Sequence, residues 1–470
     1  MMNGKLLIPA GILSVIPNAG ATAMKPQKQP NILMIIADDM RPELSCYGHS
    51  EVISPNIDAL ARSGTRFTNA YCNAPVSGAS RASLLTGIRP LGERFHSFEA
   101  KVENDAPGAL TIPGYLKQNG YTTLSYNKVF HHQEDHDADW DVNWRPEGSW
   151  RNYVQEDHIN SEKEGRVYST ECADVPDNAY FDGMTSERAI ADLKKYSAAG
   201  KPFFMAVGFV KPHLPFNAPK KYWDLYEEDE ISLPDNFTLK NNSIPKEAFH
   251  TWGELRFYED MPSKGKGQVP EKDAKRLIHG YHACVSYTDA QIGKVLSALH
   301  DLGLDDDTVV IFFGDHGWSL GEHGEWCKHS TFDIVMNAPL IVRVPGEGKG
   351  RTVESVVEFV DIFPTICSVT GLEAPSQLQG ESLLPLVKGD EKSWKNTAVI
   401  QWNNSFAAVT PDYGYTQWRG PEGETLTDML FDHTTDKAEN YNVASDRKNS
   451  GTVSRLRKII EKYIGIAKKW

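Results

Sequence analysis

Apolar runs that end in charged side chains dominate the hydrophobic pattern of this chain. One run, within residues 31–40, ends in two aspartates, and another, within residues 308–317, is followed by Gly-Asp-His. Continuous apolar runs of this length are typical of strands that are buried on both faces of a sheet. A third run at residues 202–210 and a helical pattern over residues 285–302 alternate with them. The pattern therefore predicts an α/β fold, with helices on both faces of a mainly parallel sheet.

The first stretch of the chain has a different character. Lys5 precedes a short apolar core, which is followed by small residues and then by a polar segment. This arrangement is typical of a secretory signal peptide, so we expect residues 1–23 to act as one and the mature chain to start near Met24. No later segment has the roughly 18 uninterrupted apolar residues that a membrane span needs. The sequence therefore predicts export, to a bacterial periplasm, without stable membrane insertion.

The composition and net charge of the chain limit the kinds of molecule that it is expected to bind. The chain has 470 residues, enough for a large core and a second small domain, and its formal net charge is -14. This charge argues against nucleic acid as a partner, and an anionic substrate would need a local positive pocket. The six cysteines show no paired metal-thiolate spacing. We expect Cys72, the one nearest the motif described below, to be structural.

Two predicted strands end in groups that can bind a cation. Asp38 and Asp39 end the first run, and Asp315 and His316 end the later one. Taken alone, each strand end is also consistent with a helix cap or a turn. In a parallel sheet both ends would meet at the carboxyl edge, where α/β folds bind ligands. Three carboxylates and a histidine at one edge need a cation, and oxygen-rich ligation favours calcium or magnesium over zinc.

A small polar pentad, Ser77 to Arg81, follows the first strand end and leads into a helix predicted to begin near Ser80. Residues four apart share a helix face, so Arg81 is expected beside Ser77, although a polar cap followed by a surface arginine has the same pattern. The pentad resembles the signature of the serine-type formylglycine-dependent (type I) sulfatases, with Ala79 where that family more often has proline. The resemblance implies that a sulfatase-maturating enzyme oxidises Ser77 to formylglycine, whose hydrate attacks sulfate esters.

Three further segments resemble the iduronate-2-sulfatase branch of this family: residues 128–131, 211–216 and 321–328. The resemblance runs from about residue 31 to about residue 346. It implies one calcium ion, with magnesium as a second choice, held by Asp38, Asp39, Ser77, Asp315 and His316. It also implies a sulfate pocket that contains Arg81, Lys128, His131, His213 and Lys328.

The resemblance also implies the domain organisation. We expect an alkaline-phosphatase-like sandwich as the catalytic domain over residues 24–375. A small C-terminal α+β domain with an antiparallel sheet is expected over residues 376–470, with a strand candidate at 397–402 and a closing helix near 453–467.

The activity implied is hydrolysis of the 2-O-sulfate of uronic acid residues in heparan/heparin- or dermatan-type glycosaminoglycan oligosaccharides. Arg81, Lys128 and Lys328 are expected to stabilise charge on the sulfuryl oxygens. His213 is the first choice as acid for the leaving group, and sequence does not separate its role from that of His131.

Two other functions fit the same residues. A phosphate monoester or diester hydrolase of the same superfamily would use Ser77 directly or keep a second metal, for which the sequence offers no obvious ligand set. A catalytically silent, sulfated-glycan-binding protein would result if Ser77 were left unoxidised.

Tryptophans are the candidates for a sugar-binding rim. Trp318 follows the Asp-His motif and is the preferred one by position. Trp140, Trp144 and Trp150 lie in an aperiodic insertion after His131, where burial under a long loop is the more common explanation.

Overall fold

In the computed structural model, strands account for the apolar runs of the sequence. The structure describes residue 1 and residues 29–250, 253–262 and 268–470, so the predicted signal peptide lies outside the described residues. The strands are, in chain order, β1 (Asn31–Asp38), β2 (Thr65–Phe67), β3 (Ala70–Tyr71), β4 (Thr122–Asn127), β5 (Val142–Trp144), β6 (Thr170–Ala173), β7 (Phe203–Pro212), β8 (Phe216–Pro219), β9 (Thr308–Gly314), β10 (Ser319–Leu320), β11 (Trp326–Cys327), β12 (Leu340–Arg343), β13 (Arg351–Val353), β14 (Val357–Glu358), β15 (Ala398–Trp402), β16 (Ser405–Val409), β17 (Tyr413–Arg419) and β18 (Thr425–Asp432).

The central sheet has eight strands in the order β13-β2-β12-β9-β1-β7-β4-β5. β1 pairs in parallel with β7 and β9, so that Ile35 lies opposite Val207 and Phe312. Only β12 is antiparallel to its neighbours in this sheet, as the structure describes it. Alternate residues of β1 enter the core on opposite faces, Leu33 on one and Ile32 on the other. This two-sided burial explains the continuous apolar run and confirms the predicted α/β fold.

Helices cover both faces of this sheet. α6 and α8 contribute to the core on one face, and α2, α4 and α10 to the core on the other. The helical pattern predicted over residues 285–302 is the second half of the much longer α8. The helices are α1 (Pro55–Ser63), α2 (Ser77–Thr86), α3 (Val102–Asp105), α4 (Ile112–Gln118), α5 (Glu156–Lys163), α6 (Phe181–Ser197), α7 (Lys220–Trp223), α8 (Glu271–Asp301), α9 (Asp333–Met336), α10 (Ile362–Thr370), α11 (Leu384–Val387) and α12 (Ser450–Ala467). In the part of the chain that is described, no helix is long and apolar enough to cross a membrane.

The C-terminal part contains the predicted antiparallel sheet. β15, β16, β17 and β18 pair in sequence order, each antiparallel to the next. One face of this sheet packs on α12, where Leu456 and Ile460 contact the layer that contains Tyr415. On the other face, Ala398 and Ile400 join the core of the central sheet. The C-terminal sheet is therefore fixed to the catalytic part through a shared core.

Candidate active site

The carboxyl ends of β1 and β9 bring four predicted ligands to one edge of the central sheet. Asp38 ends β1 and Asp39 follows it, while Asp315 and His316 follow β9. The backbone of Asp39 is left-handed (φ 62°), and its N–H donates to Asp315 Oδ1 at 3.0 Å. His316 Nε2 lies 3.4 Å from Asp39 Oδ1 and 3.8 Å from Asp315 Oδ2. All four residues are fully buried.

This donor set fits a hard divalent cation. Ligand atoms of Asp39, Asp315 and His316 lie within 4.8 Å of one another. Burial raises the pKa of Asp39, and the adjacent Asp38 carboxylate adds to this rise against the opposing charge of Lys328. A bound cation would relieve this repulsion, and three carboxylates with one imidazole match the oxygen-rich ligation of calcium or magnesium.

Ser77 is the first residue of α2, three residues before the predicted start at Ser80. Its Oγ donates to Asp38 Oδ1 at 3.0 Å and lies 3.1 Å from His316 Nε2. The next residue must be small, because a Cβ at Gly78 would lie 2.2 Å from the carbonyl oxygen of Phe98. Ser77 therefore lies at the positive end of a buried helix, against the group of carboxylates.

Three cationic side chains contact the same carboxylates. Arg81 donates from Nη2 to Asp38 Oδ1 at 3.0 Å and from Nε to Asp315 Oδ2 at 2.9 Å. Lys128 Nζ contacts the other oxygen of Asp38. Lys328 Nζ lies 3.1 and 3.0 Å from the two oxygens of Asp39. Ser77 and Arg81 thus share one oxygen of Asp38, as their spacing of four predicts.

These charges determine the ionisation of the first aspartate. Although burial acts in the opposite direction, the charges of Lys128 and Arg81 hold the pKa of Asp38 well below its usual range. Asp38 is therefore a carboxylate over the physiological pH range.

Two predicted histidines face the same cavity as the two lysines. His213 Nδ1 lies 2.5 Å from the carbonyl oxygen of Leu214, and its Nε2 lies 3.2 Å from Glu254 Oε1. His131 Nδ1 is buried and has no hydrogen-bond partner among the described residues. Burial and the charge of the nearer lysine hold the pKa values of both imidazoles well below 6.5, so both are neutral in this arrangement.

The cavity has a volume of about 660 Å³ and reaches Ser77. Three of its lining side chains are exposed aromatics: Phe98, Trp150 and Phe257. Trp150 is 48% exposed and stands edge-on to His213, with ring centroids 5.5 Å apart. These residues, on three different loops, form the aromatic rim of the cavity.

The prediction that Trp318 forms part of a sugar-binding rim is wrong. Trp318 is only 1% exposed, and its ring centroid lies 4.9 Å from Lys328 Nζ, so it packs behind the lysine and not at the mouth of the cavity. Of the insertion tryptophans, Trp140 is buried against Phe204 and only Trp150 reaches the rim.

Two cavity residues were not found from the sequence. Glu254 contacts both His213 and Lys328, the latter at 3.4 Å, but it lies in a loop without periodicity. Arg145 lies in the tryptophan-rich insertion and donates to the backbone carbonyls of residues 127, 130 and 131. These hydrogen bonds hold the backbone segment that carries Lys128 and His131 in place. The only sequence feature that could have identified Arg145 as a cavity residue was its position in that insertion.

Arg145 also differs electrostatically from the other cavity cations. It forms no ion pair with any residue that the structure describes, whereas Lys128 and Lys328 both contact aspartates. Burial, together with the nearby charge of Arg81, lowers the pKa of Arg145 to about 10, so it remains a cation at neutral pH. It is therefore a cavity cation that forms no direct ion pair with the described residues, although the carboxylates of Glu134 and Asp38 act on its pKa in the opposite direction.

The comparisons with known proteins agree with this site. The model of the Sulfatase family matches residues 30–372, and that of the N-sulphoglucosamine sulphohydrolase C-terminal region matches residues 321–465. Iduronate 2-sulfatase of Mus musculus is 33% identical over 522 aligned positions, which cover 91% of this chain and 93% of the relative.

Solved structures show the same fold. A protein in complex with its substrate D-glucosamine-2-N,6-O-disulfate superposes with a TM-score of 0.76 at 21% identity, covering 94% of this chain and 99% of its own. The phosphonate monoester hydrolase of Agrobacterium radiobacter also reaches 0.76, at 22% identity, with 94% and 96% covered.

With a family model that matches most of its length and a site of this composition, the chain belongs to the sulfatase family. It is a sulfuric ester hydrolase with the alkaline-phosphatase-like fold, and it is similar to iduronate 2-sulfatases along nearly its whole length.

Proposed function

We propose that this sulfatase removes the 2-O-sulfate from uronic acid residues of heparan/heparin- or dermatan-type glycosaminoglycan oligosaccharides, through a formylglycine made from Ser77. The observation that carries the proposal is the position of Ser77 Oγ, 3.0 Å from Asp38 and 3.1 Å from His316, at the start of a buried helix. This position suits a nucleophile better than a structural helix cap, because Val76 occupies the N-cap position of α2, while the Ser77 hydroxyl group contacts Asp38 and His316 and lines the cavity.

Oxidation of Ser77 is required on chemical grounds. A serine that accepted a sulfuryl group would form a stable ester with no easy route to release. Oxidation removes two hydrogens to give an aldehyde, and addition of water then gives a carbon with two hydroxyl groups. When one oxygen attacks sulfur and the alcohol departs, the second can lose its proton and expel sulfate as the aldehyde re-forms.

Asp38, Asp39, Asp315 and His316 would hold the cation, which we propose to be calcium. When bound there, it would lower the free energy needed to ionise the hydroxyl group at position 77. Arg81 orients this group through their shared partner, Asp38 Oδ1.

The remaining charged residues act on the sulfate and on the proton transfers. Lys128 and Lys328 line the cavity beside Ser77 and would stabilise negative charge on the sulfuryl oxygens as the S–O bond breaks. The Leu214 carbonyl oxygen accepts from Nδ1–H of His213, so Nε2 of the neutral imidazole faces the cavity without a proton. His213 would therefore take up a proton from solvent at Nε2 when the anionic substrate binds, and would then transfer it to the leaving alcohol oxygen. His131 would accept the proton of the second hydroxyl group during sulfate release.

The uronate assignment rests on the relatives and on one cation. The two relatives that are 33% identical to this chain are named iduronate 2-sulfatases. Arg145 lines the cavity, and no carboxylate of the described residues forms an ion pair with it. A sugar carboxylate would supply the missing negative charge in a geometry that suits a guanidinium group.

The proposal also covers the export, the domain organisation and the maturation of the chain. Residues 1–23 would direct export to the periplasm, residues 24–375 would form the catalytic domain, and residues 376–470 the smaller C-terminal domain. A maturating enzyme would recognise the pentad that begins at Ser77. Mass spectrometry of the exported protein would check the cleavage site near Met24.

One experiment separates the proposal from its alternatives. Mass spectrometry of the peptide containing Ser77 should show a loss of about two daltons in protein matured by its natural host. The same preparation should release sulfate from 2-O-sulfated uronates. Activity confined to 6-O-sulfated hexosamines would overturn the substrate assignment, and turnover of phosphate or phosphonate esters by the unoxidised serine would favour the phosphoesterase. Glycan binding without turnover would indicate the silent binding protein.

A further inference from the structure

A second cavity adjoins the catalytic one. It has a volume of about 330 Å³ and lies between residues 247–250 and the turn that joins β15 to β16. His329 lines both cavities, so the two are adjacent and share part of one wall. Lys328 lines only the catalytic cavity, whereas Ser330 and Thr331 line only the second. A single backbone segment thus leads from the sulfate-binding lysine into the second cavity.

The lining of this second cavity has the character of a carbohydrate subsite. Trp402 and Trp418 provide aromatic surface, and the ring of Trp402 lies 5.1 Å from that of His329. Ser330 Oγ is buried, lines the cavity and has no hydrogen-bond partner among the described residues. The exposed side chain of Asn403 is also available at the turn. Aromatic faces beside hydroxyl and amide groups match the alternating apolar and polar surfaces of a sugar ring.

The charge of the lining differs sharply from that of the catalytic cavity. No lysine or arginine lines the second cavity in the described part of the chain. Its carboxylate is that of Glu247, and the imidazole of His250 lies 2.8 Å from Glu325. An uncharged sugar fits this lining better than a sulfated one, because a sulfate group there would be desolvated without a cation.

We propose that this second cavity binds a neutral hexosamine, such as an N-acetylhexosamine, joined to the sulfated uronate in the catalytic cavity. The proposal rests on the proposed function, which assigns the uronate to the catalytic cavity. It assigns a substrate-binding role to the C-terminal sheet, which supplies Trp402, Asn403 and Trp418. The preferred substrate is then an oligosaccharide of two or more residues, and not the sulfated monosaccharide.

Kinetics on substrates of different length tests this subsite. We expect kcat/KM on a 2-O-sulfated uronate joined to N-acetylhexosamine to exceed that on the 2-O-sulfated monosaccharide by about tenfold. Trp402→Ala should lower the disaccharide value by about tenfold, mainly through KM, and should leave the monosaccharide value within about twofold. The matched control is Trp470→Ala, which removes an exposed tryptophan that lines neither cavity. Equal losses on both substrates, or no loss on either, would overturn the subsite.

A binding measurement separates this inference from the proposed function. If neither substrate is hydrolysed, the proposed function fails, and titration calorimetry with the desulfated disaccharide then tests the subsite alone. Binding that Trp402→Ala weakens and Trp470→Ala does not would support it, and binding unaffected by Trp402→Ala would refute it. Replacing the N-acetyl group by N-sulfate should weaken wild-type binding, and equal or tighter binding would contradict the neutral character assigned to the cavity.

Discussion

Two buried groups of charged side chains in this protein contain the same kinds of residue but have different roles. The first, the catalytic cluster, consists of Asp38, Asp39, Asp315, Arg81, Lys128 and Lys328. The second, the junction cluster, consists of Arg89, Glu358, Asp361 and Lys395. In the junction cluster Arg89 binds both oxygens of Glu358, at 2.5 and 2.6 Å, and Lys395 bridges Glu358 and Asp361 at 2.6 and 2.7 Å.

The junction cluster is complete within the protein. Glu358 also accepts from Asn73 Nδ2 and from the N–H of Val399 in β15, which ties the C-terminal sheet to the catalytic part. Despite its burial, the charges of Arg89 and Lys395 hold the pKa of Glu358 below its usual range. Both carboxylates are fully paired, and the cluster has no opening to the catalytic cavity. Its role is to join two layers of the fold.

The catalytic cluster has the same kinds of ion pair, but it opens onto a cavity. Its two lysines line that cavity, and ligand atoms of Asp39, Asp315 and His316 lie within 4.8 Å of one another. The comparison teaches that burial and pairing of charges do not by themselves mark a functional site. What distinguishes the catalytic cluster is its access to a ligand, because its lysines line a cavity.

The sharpest test of this contrast is removal of the nucleophile. Ser77→Ala should lower kcat by roughly 10⁴-fold or more, because no other residue can form the sulfated intermediate. The thermal unfolding midpoint should change little, since only one hydroxyl group is lost. Ser83→Ala, in the same helix, is the control and should retain activity. Sulfate release by Ser77→Ala at the wild-type rate is incompatible with the proposed mechanism.

Metal removal should have the next largest effect. Dialysis of the matured enzyme against a chelator is expected to lower kcat by about 10²-fold or more, because three buried carboxylates are left to repel one another at the nucleophile. Calcium should restore both the activity and the unfolding midpoint, and a titration followed by calorimetry would give the stoichiometry. Full activity in metal-depleted enzyme, verified by elemental analysis, would contradict the assigned ligand set.

The junction cluster should respond in stability and not in chemistry. Glu358→Gln leaves Arg89 buried without its carboxylate partner and leaves Lys395 with Asp361 alone, which costs about 3–5 kcal/mol of the free energy of unfolding. The kcat of the folded fraction should stay within about twofold of wild type. Urea denaturation and active-site titration measure the two quantities separately. The control is Glu347→Gln, which breaks an exposed pair with Lys388 and should cost less than about 1 kcal/mol.

Replacement of Arg145 should have the smallest effect of these changes. Because Arg145 is a cavity cation that belongs to neither cluster, it tests whether access to the cavity alone gives a charged residue a role in catalysis. Arg145→Gln should lower kcat/KM on 2-O-sulfated uronates by about tenfold through KM, since the sugar carboxylate loses its partner. Turnover of 4-nitrophenyl sulfate, which has no carboxylate, should change by less than about threefold. Equal losses on both substrates would mean that Arg145 acts only through the backbone segment it holds, which carries Lys128 and His131.

Much of the site was predictable from sequence because local patterns encode it. The apolar runs before Asp38 and Asp315 indicate buried parallel strands, and parallel strands place their carboxyl ends at one edge. The spacing of Ser77 and Arg81 places both on one helix face. These inferences need only periodicity and the direction of a strand.

Other features had no local signal. Glu254 lies in a loop, and Trp402 lies beside a hairpin turn. Glu254 lines the catalytic cavity and Trp402 the second cavity because segments far apart in the chain pack together. Trp318 was misplaced because adjacency to the Asp-His motif does not determine which side of the chain faces the cavity. The predicted helix start was late by three residues because Ser77 begins α2 without a side-chain cap.

The sequence by itself therefore determined the class of fold and the meeting of the carboxyl ends of β1 and β9 at one edge of the sheet, since both follow from short-range geometry along the chain. The roles proposed for Ser77 and for a cation at that edge come from the family resemblance. Only the tertiary structure decided which aromatic residues reach the rim, which arginine forms no ion pair, and that the C-terminal sheet lines a second cavity beside the catalytic one. These features arise where segments far apart in the chain meet, and their contacts are set by the packing of the shared core.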